Sequence, residues 1–280
     1  MSAEDVRGRS FSLEVLEHRL EDRASAVNAE PMKIELESKL ILYGHLYAVS
    51  VRDTNPSLAF NDSLLFRSFS PLRFETFMSR DTMYYSSQSG PNVVDRGHYQ
   101  AYDTMLACLF TGPAVEIRFL SNPPRYEITP LKEKCKSGEY TRLDLPFALG
   151  TFFTSAPVPI LEEGFRWTEN KDLPSYEGLG FRPAMPIAGR VVHISNGAAT
   201  AVLSSDTTVK EIRITLPNGE SAMILNNDIH LGGTLLLEVE SGFPLEGEVR
   251  VEQSIRVVRP QLTTLVLEKE CAYILRFKVH

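Results

Sequence analysis

The sequence has few of the residues that build disulfide frameworks, metal centres or membrane spans. Its 280 residues include three cysteines, Cys108, Cys135 and Cys271, which are widely spaced and form no CxxC pair. An odd, scattered set argues against a disulfide scaffold and a cysteine-ligated zinc site. No run approaches the ~18 consecutive apolar residues of a spanning helix. The acidic start, Met1 to Asp5, does not resemble a secretory signal. We therefore expect a cytoplasmic protein without metal, small-molecule cofactor or membrane contact.

Catalytic signatures are also missing from the sequence. It contains no GxSxG nucleophile elbow and no HExxH or HxH metal pair. Gly178 and Gly180 precede a strand-like run from Arg190 to Ile194, whereas a dinucleotide fingerprint needs a helix after its glycines. The histidines are scattered along the chain. The sequence therefore predicts a protein that is not an enzyme.

The overall charge restricts the kind of partner. The formal net charge is −7, with 43% apolar and 23% charged residues, which is ordinary for a folded globular protein. A negative chain is not attracted to nucleic acid over its whole surface, although a local basic groove remains compatible with this charge.

The C-terminal region, residues 186–280, has the pattern of a series of β-strands. Tyr273, Leu275, Phe277 and Val279 alternate with more polar residues, which indicates a strand with one buried face. Two further alternating runs flank Asn218-Gly219. Because both residues of a type I′ turn need positive φ, this pair predicts a two-residue hairpin.

The segment Asn227 to Gly233, NDIHLGG, looks like the second motif of cyclic-di-GMP-binding PilZ domains. Those domains also carry an upstream arginine pair, and no equivalent RxxxR directly precedes this β-rich region. We therefore interpret the segment as a turn between strands.

Residues 1–31 read as an N-terminal helical arm. An apolar stripe at helical spacing supports this prediction, and the helix would dock on its own domain or on a neighbouring subunit. The stripe consists of Leu13, Leu16, Leu20, Ala24 and Val27.

Residues 32–185 read as a mixed α+β domain. A long β-rich run from Lys33 to Val51 precedes a mostly irregular stretch, residues 52–97. The best internal helix runs from His98 to Phe110 and is stopped by Gly112-Pro113. Two short strands, 114–120 and 125–129, follow, and residues 131–185 are loop-rich up to a soft boundary near residue 185.

Arginines and aromatic residues are interleaved between Phe66 and Tyr85. Single-stranded nucleic acid is commonly bound by guanidinium groups on phosphates and rings stacked on bases. The open alternative is a half-buried β-hairpin with its phenylalanines inward and its arginines in solvent. The candidate RNA-binding residues are Arg67, Phe69, Arg73, Arg80 and Tyr84, with Arg96 beyond the stretch.

Three short segments together resemble the RAMP proteins of CRISPR effector complexes, in particular the subunit that caps the 5′ end of the guide RNA. They are AYDTMLA at 101–107, LDLPFA at 143–148 and FFTSA at 152–156. The resemblance implies an α+β, ferredoxin-like (RAMP/RRM-type) domain with a long insertion, followed by the β-rich region. It also implies a non-catalytic RNA-binding assembly subunit, with guide RNA and other protein subunits as partners.

A second class of function fits the same composition. The chain could be a β-sandwich structural or assembly protein, such as a capsid-associated or matrix-like subunit, with the aromatic residues of 66–85 in its core. This alternative involves no nucleic-acid readout.

Overall fold

The structure is a computed structural model of the chain. The residues it describes are 10–23, 32–50, 62–78, 81–86, 90–92, 115–121, 124–130, 145–153, 161–172, 184–216, 219–259 and 265–280.

This part of the chain forms one antiparallel sheet of 13 strands. The strands are β1 (Ser10–Arg23), β2 (Met32–Ser50), β3 (Asp62–Met78), β4 (Asp81–Ser86), β5 (Gly90–Asn92), β6 (Val115–Ser121), β7 (Pro124–Pro130), β8 (Arg166–Asp172), β9 (Ala184–Ser195), β10 (Ala198–Thr215), β11 (Ser221–Glu238), β12 (Pro244–Val258) and β13 (Leu265–Val279). The helix among the described residues is α1 (Leu145–Phe152).

The strand order places the first strand beside the last. Along the sheet it runs β5-β4-β3-β2-β1-β13-β12-β11-β10-β9-β8, and β6 and β7 extend from β3. β1 pairs with β2 on one side and with β13 on the other, so Phe11 lies opposite both Gly44 and Val279. The two halves of the chain are therefore joined in the sheet by β1.

A contact between distant strands shows that the sheet curves over its buried face. The Tyr126 hydroxyl on β7 donates a hydrogen bond to the carbonyl of Ser241, 3.2 Å away in the turn between β11 and β12. The Tyr126 ring also meets Phe153 and Phe243 edge-on, with centroids 5.4 and 6.3 Å apart. Since β7 extends from β3 and is separated from β11 by several strands, only a curved sheet allows these contacts.

The curved sheet buries a large apolar cluster beneath α1. Pro146 in the first turn of α1 suits a position where the backbone N–H has no helical partner. The helix buries Ala148, Leu149 and Phe152 against the sheet. The Phe152 ring stacks on Phe277 of β13 with centroids 5.4 Å apart. Full burial of such side chains contributes roughly 1.5–3 kcal/mol each. Other strand members of the cluster are Phe11, Leu13, Val191, Ala201, Leu203, Leu231, Leu235, Val249, Val251 and Leu275.

Alternation along the strands separates this buried face from an exposed one. On β13 the buried residues Tyr273, Leu275 and Phe277 alternate with the exposed Arg276 and Lys278. A small apolar cluster lies at the other end of the same buried face. Its members are Leu216, Ala222, Ile224, Ile255, Val257, Val266 and Leu267.

The predicted α+β, ferredoxin-like fold is wrong. The described residues are nearly all strand in a single sheet, with one short helix. The single sheet also differs from the two packed sheets of a sandwich. The predicted boundary at residue 185 falls at the start of β9, which pairs with β8 from Arg166↔Arg190 to Asp172↔Ala184. The division at 31 and 185 stays a prediction.

The predicted N-terminal helix is wrong, because Ser10–Arg23 is strand β1. Its buried residues are Phe11, Leu13 and Val15, followed by Glu17, Arg19 and Glu21. Because these last three residues are charged although they lie on the buried side, the alternation of apolar and polar residues that is typical of a strand is not visible in this sequence. The leucines that suggested a helix include Leu16 and Leu20 of the opposite face.

The stretch predicted to be mostly irregular, residues 52–97, contains β3, β4 and β5. Its loop-like Ser70-Pro71 lies inside β3, where the register against β2 shifts: Arg73 pairs with Ile41, but Phe69 pairs with Tyr43. Proline is accommodated in strands at such bulges. The predicted strands 114–120 and 125–129 are confirmed as β6 and β7. The predicted helix 98–110 lies outside the described residues.

The hairpin near residue 218 is confirmed, but its predicted length is wrong. Gly219 has φ +83°, as its place in the turn required. The Leu216 N–H donates to the Glu220 carbonyl at 2.8 Å, so three residues separate this pair. Residues 217 and 218 lie outside the described residues.

The predicted turn at Asn227 to Gly233 is wrong, because this segment lies in the middle of β11. Gly233 is required there by close packing, since a Cβ would lie 2.5 Å from the carbonyl oxygen of Glu248 on β12.

Candidate interaction surface

The candidate RNA-binding residues fall on neighbouring strands. Arg67, Phe69 and Arg73 lie on β3 and Tyr84 lies on β4. β3 and β4 form a hairpin in which Arg73 pairs with Ser86, and Tyr84 pairs with Glu75 and Asn92. Arg80 and Arg96 lie outside the described residues. The structure therefore brings four of the six residues to two adjacent strands of the sheet.

The exposed face of β12 and β13 carries two adjacent columns of opposite charge. Glu246 and Glu248 form the acidic column on β12, and Lys278 and Arg276 form the basic column on β13. The antiparallel register places Glu246 opposite Lys278 and Glu248 opposite Arg276. All four side chains are at least 44% exposed. Their strand neighbours Gly247, Val249 and Phe277 are buried, so alternation fixes which face the charges occupy.

Hydrogen bonds connect these columns across three strands. The Arg276 Nε–H donates to Glu248 Oε2 at 2.7 Å, and its Nη1 donates to Glu14 Oε2 on β1 at 3.0 Å. These hydrogen bonds, first to Glu248 and then to Glu14, raise the pKa of Arg276. The Lys278 Nζ lies 3.3 Å from Glu246 Oε2. Because the side chains are solvated, each pair contributes at most about 1 kcal/mol, and their main effect is to hold the side chains in defined positions.

A groove of about 440 Å³ lies over these columns. Besides the charged residues its walls include Ser12 of β1, Thr200 of β10, and Thr234 and Leu236 of β11. The groove therefore crosses five neighbouring strands and contains three carboxylates, two cations and hydroxyl groups.

A second polar group lies further along the same exposed face. The His230 Nδ1 is 2.6 Å from Asp206 Oδ1 on β10. The hydrogen bond to Asp206 is the main cause of a raised pKa for His230. Hydrogen bonds from Asn226 and Thr208, at 3.0 and 2.8 Å, lower the pKa of Asp228. In the described part of the chain no three His, Cys, Asp or Glu side chains are grouped as metal ligands.

The buried face contains a polar band between its two apolar clusters. The band consists of Glu17, Arg19 and Glu21 on β1, Lys269 and Cys271 on β13, Gln253 on β12, Asn227 on β11, and Ser205 and Thr207 on β10. Arg19 is 1% exposed, and its nearest carboxylate oxygens on Glu17 and Glu21 are both 3.8 Å away. These are ion pairs rather than hydrogen bonds. Gln253 Nε2 donates to Asn227 Oδ1 at 3.0 Å.

Sequence reasoning missed the charged columns. The alternation of Glu246, Glu248 and Arg250 was a usable signal for the exposed side of β12. No pattern within one strand, however, states which strand lies beside it, and the ion pairs span 28 and 262 residues of sequence. Of the two later segments that resemble RAMP proteins, the described residues are 145–148 and 152 of α1 together with Phe153. Ala148, Phe152 and Phe153 are buried in the core.

No family model and no curated protein matches this chain. Among solved structures it is similar to lipovitellin, described for its lipid-protein interactions, at 9% identity and a TM-score of 0.47, covering 98% of this chain and 25% of that one. It is also similar to an outer membrane channel from Pseudomonas putida F1 at 10% identity and a TM-score of 0.22, covering 98% and 96%. OpdQ of Pseudomonas aeruginosa gives 7% identity and a TM-score of 0.18, covering 97% and 98%.

The chain thus spans a quarter of the length of the lipovitellin chain. At these identities and TM-scores the likenesses carry no argument about function. In the described residues, no helix has the length and apolar character needed to cross a membrane.

Proposed function

We propose that this chain is a non-catalytic assembly protein that binds its protein partners through the exposed face of β10, β11, β12, β13 and β1. The observation that carries the proposal is the groove across these five strands, with charged columns held in position by cross-strand ion pairs. One face of these strands is occupied by the core. The other face presents an ordered polar surface, and such surfaces serve protein interfaces, where charge complementarity selects the partner.

The chemistry of the reactive groups supports a non-catalytic role. Burial is the main cause that raises the pKa of Cys271 to about 11, so its thiol is protonated near neutral pH and is a poor nucleophile. The His230 and Asp206 side chains are 58% and 83% exposed on an open sheet. Such a position excludes no water from a reacting group. The buried free thiol of Cys271 is also in keeping with a cytoplasmic location, which the proposal includes.

Carboxylate footprinting tests this proposal. The protein would be isolated in its native complexes, labelled with a carbodiimide and an amine, and compared with the same protein after dissociation. We expect protection of Glu246 and Glu248 in the complexes, with Glu162 and Glu163, which are exposed outside the five strands, as internal controls. Equal labelling of all four residues in both states would rule out the exposed face as an interface. Turnover of a substrate by purified protein, abolished by one substitution, would contradict the non-catalytic role.

RNA binding at β3 and β4 is a second candidate function, favoured by the placement of Arg67, Phe69, Arg73 and Tyr84 on two paired strands. Sheets that carry arginines and rings are common platforms for single-stranded RNA. Guide RNA and further protein subunits would be the partners, as the RAMP resemblance implies.

Salt titration of RNA binding tests this second candidate. Binding of a single-stranded RNA should weaken with a slope of about −0.7 per phosphate contact, and the triple variant Arg67→Ala, Arg73→Ala, Arg80→Ala should flatten the slope by about 2. A matched triple variant on the exposed face, Arg213→Ala, Arg250→Ala, Arg256→Ala, should leave the slope unchanged. Salt-insensitive binding, or equal effects of both variants, would rule it out.

A further inference from the structure

We propose that the exposed face of β12 and β13 docks against the same face of a second copy of this chain, with the acidic column of each copy opposite the basic column of the other. This inference rests on the proposed function, since it names the partner of that surface. The observation behind it is charge complementarity between two columns that lie side by side on one molecule.

A two-fold axis parallel to the strands, above the line between β12 and β13, brings the columns into register. Rotation about such an axis exchanges the two sides of the line and keeps the position along the strands. Glu246 then faces Lys278 of the second copy, because these residues are opposite each other within one sheet. Glu248 faces Arg276 of the second copy for the same reason. An interface that is complementary to itself in this way closes as a dimer.

The positions of the two flanking strands, β11 and β1, are compatible with the same two-fold axis. β11 and β1 lie next to β12 and β13 respectively, so they face each other across the axis. Gly232 of β11 lies in the same cross-strand row as Leu16 of β1, through Arg250 and Ile274. A Cβ on Gly232 would meet nothing within 4 Å, so this position is a recess on the exposed face. The half-buried Leu16 of the second copy has the position and size to fill it.

The charges that line the groove permit two copies to approach each other. Three carboxylates (Glu14, Glu246, Glu248) and two cations (Arg276, Lys278) give a local net charge of −3 + 2 = −1 per copy. The groove of about 440 Å³ leaves room for the long side chains of the second copy to enter between the rows. Opposite columns then meet without a large excess of one sign, which favours this pairing over other orientations of the same faces.

Charge reversal gives a decisive experiment on the intact chain. The variant Glu246→Lys, Glu248→Lys makes both columns basic, and the variant Arg276→Glu, Lys278→Glu makes both acidic. We expect wild type to dimerise in sedimentation equilibrium, each variant alone to raise the dimer Kd at least tenfold, and an equimolar mixture to recover a heterodimer. Arg166→Glu, Arg190→Glu on β8 and β9 makes the same charge change outside the five strands of the proposed surface and should dimerise like wild type. Circular dichroism and the melting temperature check that each variant is folded.

The results separate this inference from the proposed function. A wild-type chain that stays monomeric at about 100 µM, or two variants that fail to associate when mixed, overturns the dimer. If Glu246 and Glu248 are nevertheless protected in native complexes, the face binds a different protein and the proposed function stands. Unaltered dimerisation of both column variants would place the dimer contact on another surface and would also overturn the inference.

Discussion

The two ends of the buried face are built in different ways. Beneath α1, rings and aliphatic side chains pack against each other, as Phe152, Phe153 and Phe277 show with centroid distances of 5.4 and 5.7 Å. Towards the other end, the same face of β1 and β13 changes to Glu17, Arg19, Glu21 and Lys269, all at most 6% exposed. The apolar end gains stability from contact area, whereas the polar band is stable only while each charge keeps its partner.

This difference also explains how β1 finds its register. The change from apolar to polar residues occurs in neighbouring rows on both strands, since Glu17 pairs with Tyr273 and Arg19 pairs with Cys271. A slip by two residues would place a charged side chain of β1 against the apolar part of β13. The apolar end alone would tolerate such a slip better, so the polar band makes the pairing of the first and last strands specific.

The largest expected effect is at the apolar end. Phe152→Ala should reduce the free energy of unfolding by about 4 kcal/mol, because it removes a fully buried ring that stacks on Phe277 and covers Gly247. Urea denaturation followed by circular dichroism measures this loss. Val202→Ala, at an exposed position, is the control and should change stability by less than about 0.5 kcal/mol. A loss below about 1 kcal/mol at Phe152 would show that α1 is not part of the core.

A substitution at the centre of the polar band should reduce the free energy of unfolding somewhat less than Phe152→Ala. Arg19→Met is expected to cost about 3 kcal/mol, because Glu17 and Glu21 stay buried without their shared cation. Adding Glu17→Gln should restore part of this loss, since it removes one of the unpaired charges. Denaturation of the single and double variants measures the coupling. Additive losses in the double variant would mean that Glu17 and Arg19 do not interact.

A close contact between β8 and β9 should give a smaller loss. Trp167 packs over Gly189, where a Cβ would lie 2.2 Å from the indole ring. Gly189→Ala is therefore expected to cost about 2 kcal/mol and to shift the emission of Trp167, the one tryptophan in the chain, to longer wavelength. Trp167→Leu in the same background makes room for the methyl group and should reduce the penalty. If Gly189→Ala is as stable as wild type with unchanged emission, the ring does not cover this glycine.

The smallest effect on stability is expected on the exposed face. Asp206→Asn should bring the pKa of His230 down towards its ordinary value, because the hydrogen bond to Asp206 is the main cause that raises it. A histidine whose pKa is higher in the folded state than in the unfolded state stabilises the fold at pH values below the unfolded-state pKa. This contribution is lost as the pH rises through the folded-state pKa. The pair is solvated, so we expect no measurable change in the melting temperature. An NMR titration of the His230 ring measures the shift, and an unchanged pKa would contradict the pairing.

Local patterns in the sequence predicted the strands whose burial alternates cleanly. Tyr273 to Phe277 of β13 and the strand segments beside Gly219 are examples, because the inward positions there are apolar. β1 was predicted as a helix, since Arg19 and its two glutamates occupy buried positions and conceal the alternation. β3 was predicted as irregular because Pro71 lies inside it.

The arrangement of the strands could not be predicted in the same way. The groove depends on β1 lying beside β13, and this pairing joins Glu14 to Arg276 across 262 residues. No spacing within a single segment contains that information. The outward charges of β12 and β13 could be predicted, but their adjacency to Glu14 required the whole topology.

The place of β1 in the sheet has a consequence for synthesis on the ribosome. β1 can form a hairpin with β2 early, since Arg23 pairs with Met32 across a short connection. Its other edge pairs with β13, which follows all the other described strands in the chain. Until then, one edge of β1 and its charged inward residues have no strand beside them, and the sheet stays in two separate parts. Pairing of strands so distant in the chain is slow, so the nascent chain presents open edges until β13 has been synthesised, and its yield depends on protection from aggregation during that interval.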